Sequence, residues 1–210
     1  MYQTMNTRTQ SPVTTMILCG LFAAITAICS WINIPIGITP VPINLATFAV
    51  LLGGAFLGAK AGAVSQLVYL LLGLIGLPVF HGFTSGPGVL AGPTGGYLIG
   101  YIMCALFVGA LATKSPRKKS PSGEPFPSGE TFPSGKVHPS DKRKGTALRL
   151  AWVFCGGFLI CYAFGTLWFM ISTHTPLLAS LMACVLPFLP GDILKIILAV
   201  MICKRSLPIR

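Results

Sequence analysis

Two opposite charges stand three residues apart in an otherwise apolar stretch, Leu189-Pro-Gly-Asp192-Ile-Leu-Lys195. On a helix, positions i and i+3 share a face, so this carboxylate and ammonium address one cavity. A charge in hydrocarbon costs about 2.5–3.5 kcal/mol on insertion scales, and charges kept there mark functional sites by default. The plainer reading is mutual neutralisation, or a lysine that snorkels to the interface. The sharper one is a site for a polar ligand, with Asp192 accepting N–H groups and Lys195 donating to a carbonyl or carboxylate. The other acids, Glu124, Glu130 and Asp141, lie in a polar stretch, which leaves Asp192 as the only acid at an apolar span.

The second chemical feature is the uncharged run Pro78–Gly96, with six glycines and three prolines. Irregular backbone at membrane depth is tolerated where it is buried or lines a cavity, and glycine lets backbone approach a ligand closely. The apolar residues Phe80, Phe83, Val89 and Leu90 argue against a purely solvated connector, so the run is expected to be a lid over a pocket. It adds Phe80, Thr84, Gly86, Gly88 and Tyr97 to the candidate binding residues. Asn44, after Pro40-Val-Pro-Ile, adds a side chain that both donates and accepts.

Other chemistries lack their residues. The seven cysteines form no C-x-x-C pair and the three histidines are far apart, so no metal site is expected. Gly53-Gly-Ala-Phe-Leu-Gly58-Ala-Lys60 is not a P-loop, since Ala59 separates Gly58 from Lys60 and no Ser or Thr follows. With no zinc motif and no nucleophile elbow, neither an enzyme nor a cofactor is expected. The net charge of +11 would suit nucleic acid, but no aromatic platform is interleaved with the basic residues.

The elements that must position these residues are set by hydropathy. The chain is 53% hydrophobic and 9% charged, against about 25% charged in soluble domains. Lipid must be the solvent for most of its surface. Spans are expected at Thr14–Ile32, Leu45–Leu57, Ala63–Leu77, Tyr97–Ala112, Leu148–Ile171 and Pro190–Cys203, with a short interfacial or re-entrant helix at Pro176–Leu186. The fold class is therefore all-α, a polytopic membrane protein of six transmembrane helices. Residues 1–13 form a tail, 14–112 carry helices one to four, 147–205 carry helices five and six, and 206–210 form a second tail. Between them, 113–146 repeats Pro-Ser-Gly at Pro121, Pro127 and Pro133 and is expected to be a basic, disordered insert. The first span is read as a retained helix, since only Arg8 precedes it and no clear cleavage site follows.

Fourteen of the 15 Lys and Arg residues fall in or beside the tails and the insert, or at Lys60, and none falls in Asn33–Asn44, Pro78–Gly96 or Ser172–Leu189. By the positive-inside rule both termini and the insert are cytoplasmic, in a plasma-membrane protein. Asp192 then lies near the outer end of its span. Small residues four apart, Gly20/Ala24 and Ala23/Ala27, let the first helix pack closely against another helix or a partner.

Pro40-Val-Pro-Ile-Asn44, Gly76-Leu-Pro-Val-Phe80, Gly92-Pro-Thr-Gly-Gly-Tyr97 and Leu189-Pro-Gly-Asp192-Ile-Leu-Lys195, in that order, resemble the BioY family. Its members are the biotin-binding S components of energy-coupling factor (ECF) transporters. The resemblance covers the chain apart from the N-terminal tail and the insert. It implies capture of biotin from outside and docking on a transmembrane T component driven by two ABC-type ATPases. It also places Asp192 and Lys195 in the biotin site, and Ala23 and Ala27 against the T component. Ala46 stands where many members carry glutamine, and the insert is unusual for the family. Two rivals stay open: a solitary biotin carrier, and the same scaffold used for another vitamin.

Overall fold

The computed structural model describes residues 11–34, 41–112 and 139–206. Helix α1 (Pro12–Trp31) starts where Ser11 accepts the Thr14 N–H and Pro12 takes the first turn. A two-residue antiparallel pair follows, β1 (Asn33–Ile34) with β2 (Ile43–Asn44), in register Asn33 to Asn44. It returns the chain to α2 (Ala46–Leu57), which turns at Gly58 into α3 (Ala59–Leu74). A 3-10 turn at His81–Phe83 and the short α4 (Pro87–Ala91) lead into α5 (Gly95–Ala112). The chain closes with α6 (Pro139–Thr173), α7 (Leu177–Cys184) and α8 (Leu189–Ser206).

Among the described residues, α1, α5 and the Ala147–Thr173 part of α6 are each long and apolar enough to cross a membrane. The pair α7–α8, bent by 51°, is long and apolar enough only when its two helices are taken together, and α2 and α3 are shorter apolar helices of 12 and 16 residues. The all-α class expected from hydropathy is the one observed, and α1, α2, α3, α5, α6 and the α7–α8 pair are consistent with six spans. Boundaries move most at two helix starts. α3 begins at Ala59, four residues before the expected start, because one glycine suffices to turn the chain. α6 begins at Pro139, inside the stretch expected to lack structure. Without its own apolar face, Pro139–Thr146 continues the hydrogen-bond ladder already nucleated by the span. Residues 113–138 of the expected insert lie outside the described residues.

The core sits between α2, α3, α5 and α6, around Tyr69, Phe80, Phe154, Leu51 and Val108. Two glycines mark its closest approaches. A Cβ on Gly96 would overlap Trp168 Cβ and the Phe164 carbonyl, so α5 and α6 cross there in direct backbone contact. A Cβ on Gly73 would overlap the Phe80 ring, which fills that notch and meets Tyr69 edge-on at 5.6 Å. Polar groups in the core bond across helices. Gln66 Nε2 donates to Thr26 Oγ1 at 3.2 Å, joining α3 to α1. Arg149 of α6 donates to the Leu111 carbonyl at 2.8 Å, where a cation suits a helix C-terminus.

The first helix corrects one expectation. Ala23 and Ala27 are 1% and 7% exposed, because their face packs inward on α2 and α3. They are not open to a partner. The outward face of α1 carries Gly20, Ala24 and Ile28 instead, and Gly20 has no neighbour within 4 Å of its Cβ position.

Candidate functional site

One cavity gathers polar residues from five helices, α2, α3, α5, α6 and α8, and from β2. Asp192 lies in the first turn of α8 and Lys195 one turn on, both buried, with Nζ 2.8 Å from Asp192 Oδ1. Two features of the helix start explain this position. Pro190 cannot continue a preceding helix and sits well in a first turn, and an acid there is favoured by the helix dipole. Lys195 Nζ also donates to the Asn44 carbonyl at 2.8 Å and to Thr47 Oγ1 at 3.1 Å. An ammonium has three N–H donors, and these three bonds occupy all of them. The second carboxylate oxygen of Asp192 accepts from the Tyr162 hydroxyl of α6.

Asn44 is itself held. Its Oδ1 accepts the Ala46 N–H at 3.1 Å, which starts α2, and the Tyr101 hydroxyl lies 3.4 Å away. Ala46 is fully buried and does not line the cavity. The walls are apolar and aromatic, with Val41, Tyr69, Leu98, Phe158 and Phe188 among them. Tyr97 lines the cavity and ties α5 to α7 by donating to the Cys184 carbonyl at 3.0 Å. A few convergent polar groups under apolar walls is the usual form of a small-molecule site.

Asp192, Lys195, Asn44 and Tyr97 are thus brought together as expected from the sequence. Phe80, Thr84, Gly86 and Gly88 are not among the lining residues. Phe80 is fully buried in the Gly73 notch, and Thr84 caps the turn before it, its hydroxyl 2.8 Å from the His81 carbonyl. Gly86 has a φ of +90° ahead of α4, and Gly88 lies within α4 with open space around it. The loop contributes His81 and Thr94 instead. Tyr162, Tyr101 and Thr47 were missed by sequence reasoning. A tyrosine inside a span was the available signal, since a buried phenol seeks a partner; which partner depends on how α6 faces α8. Among the described residues no group of His, Cys, Asp and Glu could hold a metal.

Known proteins share this fold. A solved S component for biotin from an ECF-type ABC transporter superposes with a TM-score of 0.69 at 28% identity, over 92% of this chain and 90% of that one. The probable biotin transporter BioY of Pyrococcus horikoshii is 34% identical over 90% of this chain and 93% of its own length. The biotin transporter BioY of Thermotoga maritima is 48% identical over a shorter stretch, 47% of this chain and 57% of that protein. The profile of the BioY family matches residues 3–209, past both ends of the helical bundle. With that match and the Pyrococcus relative aligned along nearly its whole length, the chain belongs to the BioY family.

Proposed function

We propose that this protein captures biotin at the outer face of the membrane and imports it as the substrate-specific subunit of an ECF-type transporter. The carrying observation is that the Asp192–Lys195 pair meets Asn44, 151 positions from Lys195 in sequence, in one apolar-walled cavity. Biotin offers matching chemistry: a ureido ring with two N–H donors and a carbonyl, an apolar thioether ring, and a carboxylate tail. Asp192 is the acceptor for ureido N–H, and the aromatic walls enclose the bicyclic rings. Radiolabelled biotin should bind the purified full-length chain in lipid nanodiscs saturably, and unlabelled riboflavin and thiamine should fail to displace it. Displacement by either vitamin would overturn the assignment of biotin.

The charge asymmetry supports an orientation with both termini and residues 113–138 in the cytoplasm. In a background without native cysteines, a cysteine at Ser122 should react with an impermeant maleimide only after the cytoplasmic face is opened. Labelling in intact cells would reverse the topology.

Energising partners, a T component and two ABC-type ATPases, need a docking face on this chain. The outward face of α1 is small at Gly20 and Ala24, with apolar Ile28 beyond them, and lets another helix approach closely at the two small residues. Replacing Gly20 and Ala24 with Leu should leave biotin binding intact and lower ATP-driven uptake at least tenfold. Unchanged uptake with the partners present would remove α1 as the docking face.

A further inference from the structure

We infer that His81 is the residue that selects for the ligand's carboxylate, pairing with it as an imidazolium at the mouth of the cavity. This deepens the biotin reading of the same site and rests on it. The first ground is elimination by bonding. Among the described residues Lys195 is the only Lys or Arg lining the cavity, and its three donors are used by Asp192, Asn44 and Thr47. A carboxylate could take Lys195 only by breaking that set. The outer segments Asn33–Asn44, Pro78–Gly96 and Ser172–Leu189 contain no Lys or Arg, and their only histidines are His81 and His174. Of these two, His81 lines the cavity and His174 does not.

The second ground is that His81 is held in place from both sides. Phe80 before it is locked in the Gly73 notch against Tyr69. Phe83 after it stacks on Trp31 of α1 at 5.0 Å. Trp31 Nε1 also donates to the Pro78 carbonyl at 2.9 Å, and Ser30 Oγ to the Val79 carbonyl at 2.6 Å. Within the turn, the Thr84 hydroxyl donates to the His81 carbonyl, and the Phe80 N–H donates to the Thr84 carbonyl at 3.1 Å. The left-handed backbone at Gly82 and Phe83, φ of +64° and +58°, is costly for a phenylalanine. That conformation persists because its neighbours determine it, a pattern that clusters at ligand clamps.

The phenols and thiols that line the cavity or pack near His81 do not change charge near neutrality. Tyr69 comes from α3, Tyr97 and Tyr101 from α5, and Cys161 and Tyr162 from α6. α1, packed on the turn, carries Cys29 in its last turns. Phenols and thiols titrate well above pH 7. Asp192 and Lys195 of α8 compensate each other. Half-burial of the imidazole in this outer loop pushes its pKa below the ordinary histidine value, so the ring alone is neutral at pH 7. A carboxylate beside it favours the charged form and raises that pKa. Binding therefore takes up a proton, and affinity must rise as the pH falls from 8 to 6 and be lost as the pH rises through the bound-state value.

The test compares biotin with its primary amide, which keeps the rings and lacks the charge, on the full-length chain in nanodiscs at pH 6 and pH 8. Wild-type protein should bind biotin several-fold more tightly at pH 6, with proton uptake seen as a buffer-dependent heat, and should bind the amide equally at both. His81→Ala should weaken biotin at least tenfold at pH 6, abolish the pH dependence, and leave the amide unchanged. An equal loss for both ligands would overturn the inference by making His81 structural. No loss for either would overturn it by removing His81 from the site. A wild-type chain that binds neither ligand would instead overturn the biotin reading itself.

Discussion

Asp192→Asn is expected to weaken biotin binding by at least tenfold while the protein stays folded. The carboxylate accepts from Lys195 on one oxygen and from Tyr162 on the other, and asparagine replaces one of these acceptors with a donor. A hydrogen bond to a charged group contributes about 1.5–3 kcal/mol, and 1.4 kcal/mol or so is a factor of ten. The ureido N–H groups lose their acidic acceptor at the same time. Lys195→Met is the sharper control, because it strands Asp192 in a buried site. Removing one partner of such a pair costs about 3–5 kcal/mol. That variant should show a lowered thermal midpoint as well as weak binding. The double variant, Asp192→Asn with Lys195→Met, should recover the midpoint and still fail to bind. If Asp192→Asn binds biotin like the wild type, Asp192 is only a counter-ion for Lys195.

Gly96→Ala is expected to be nearly as damaging, from a residue that touches no ligand. The added methyl would overlap Trp168 Cβ and the Phe164 carbonyl, neither of which a side-chain rotation can move. Overpacking of this kind costs typically 1–3 kcal/mol, and here it separates α5 from α6. Tyr97 and Thr94, on either side of the glycine pair, lose their position over the cavity. The midpoint of thermal unfolding in detergent should fall by several degrees, with biotin binding reduced in step. Gly88→Ala is the matched control: open space surrounds that position, so both readouts should be unchanged. Equal behaviour of the two variants would mean that α5 and α6 do not meet at Gly96.

Hydropathy made the six helices legible because lipid imposes one rule on every span: backbone groups bond within the helix and side chains are apolar. The pairing of Asp192 with Lys195 was legible for a related reason, since spacing on one helix needs no knowledge of the fold. Contacts between helices were not. Tyr162 reaches Asp192 only through the rotation of α6 against α8, and nothing local to Cys161-Tyr162-Ala163 specifies it. The glycine-rich loop was read as ligand-lining backbone. Its glycines instead shape turns and a helix crossing, while His81 and Thr94 line the cavity. For α1, small residues four apart revealed close packing but not which of two neighbouring stripes faces inward.

Because Asp192 and Lys195 ride on a single turn of α8, they travel as one body with zero net charge. Moving an elementary charge through a membrane potential involves about 2.3 kcal/mol per 100 mV, work that a lone lysine or aspartate would incur whenever its helix shifted along the membrane normal. A neutral doublet avoids it. With a proton on His81 balancing the ligand's carboxylate, the loaded cavity is electrically neutral as well. Delivery of biotin would then be insensitive to membrane voltage, and its driving force would have to come from elsewhere in the transporter.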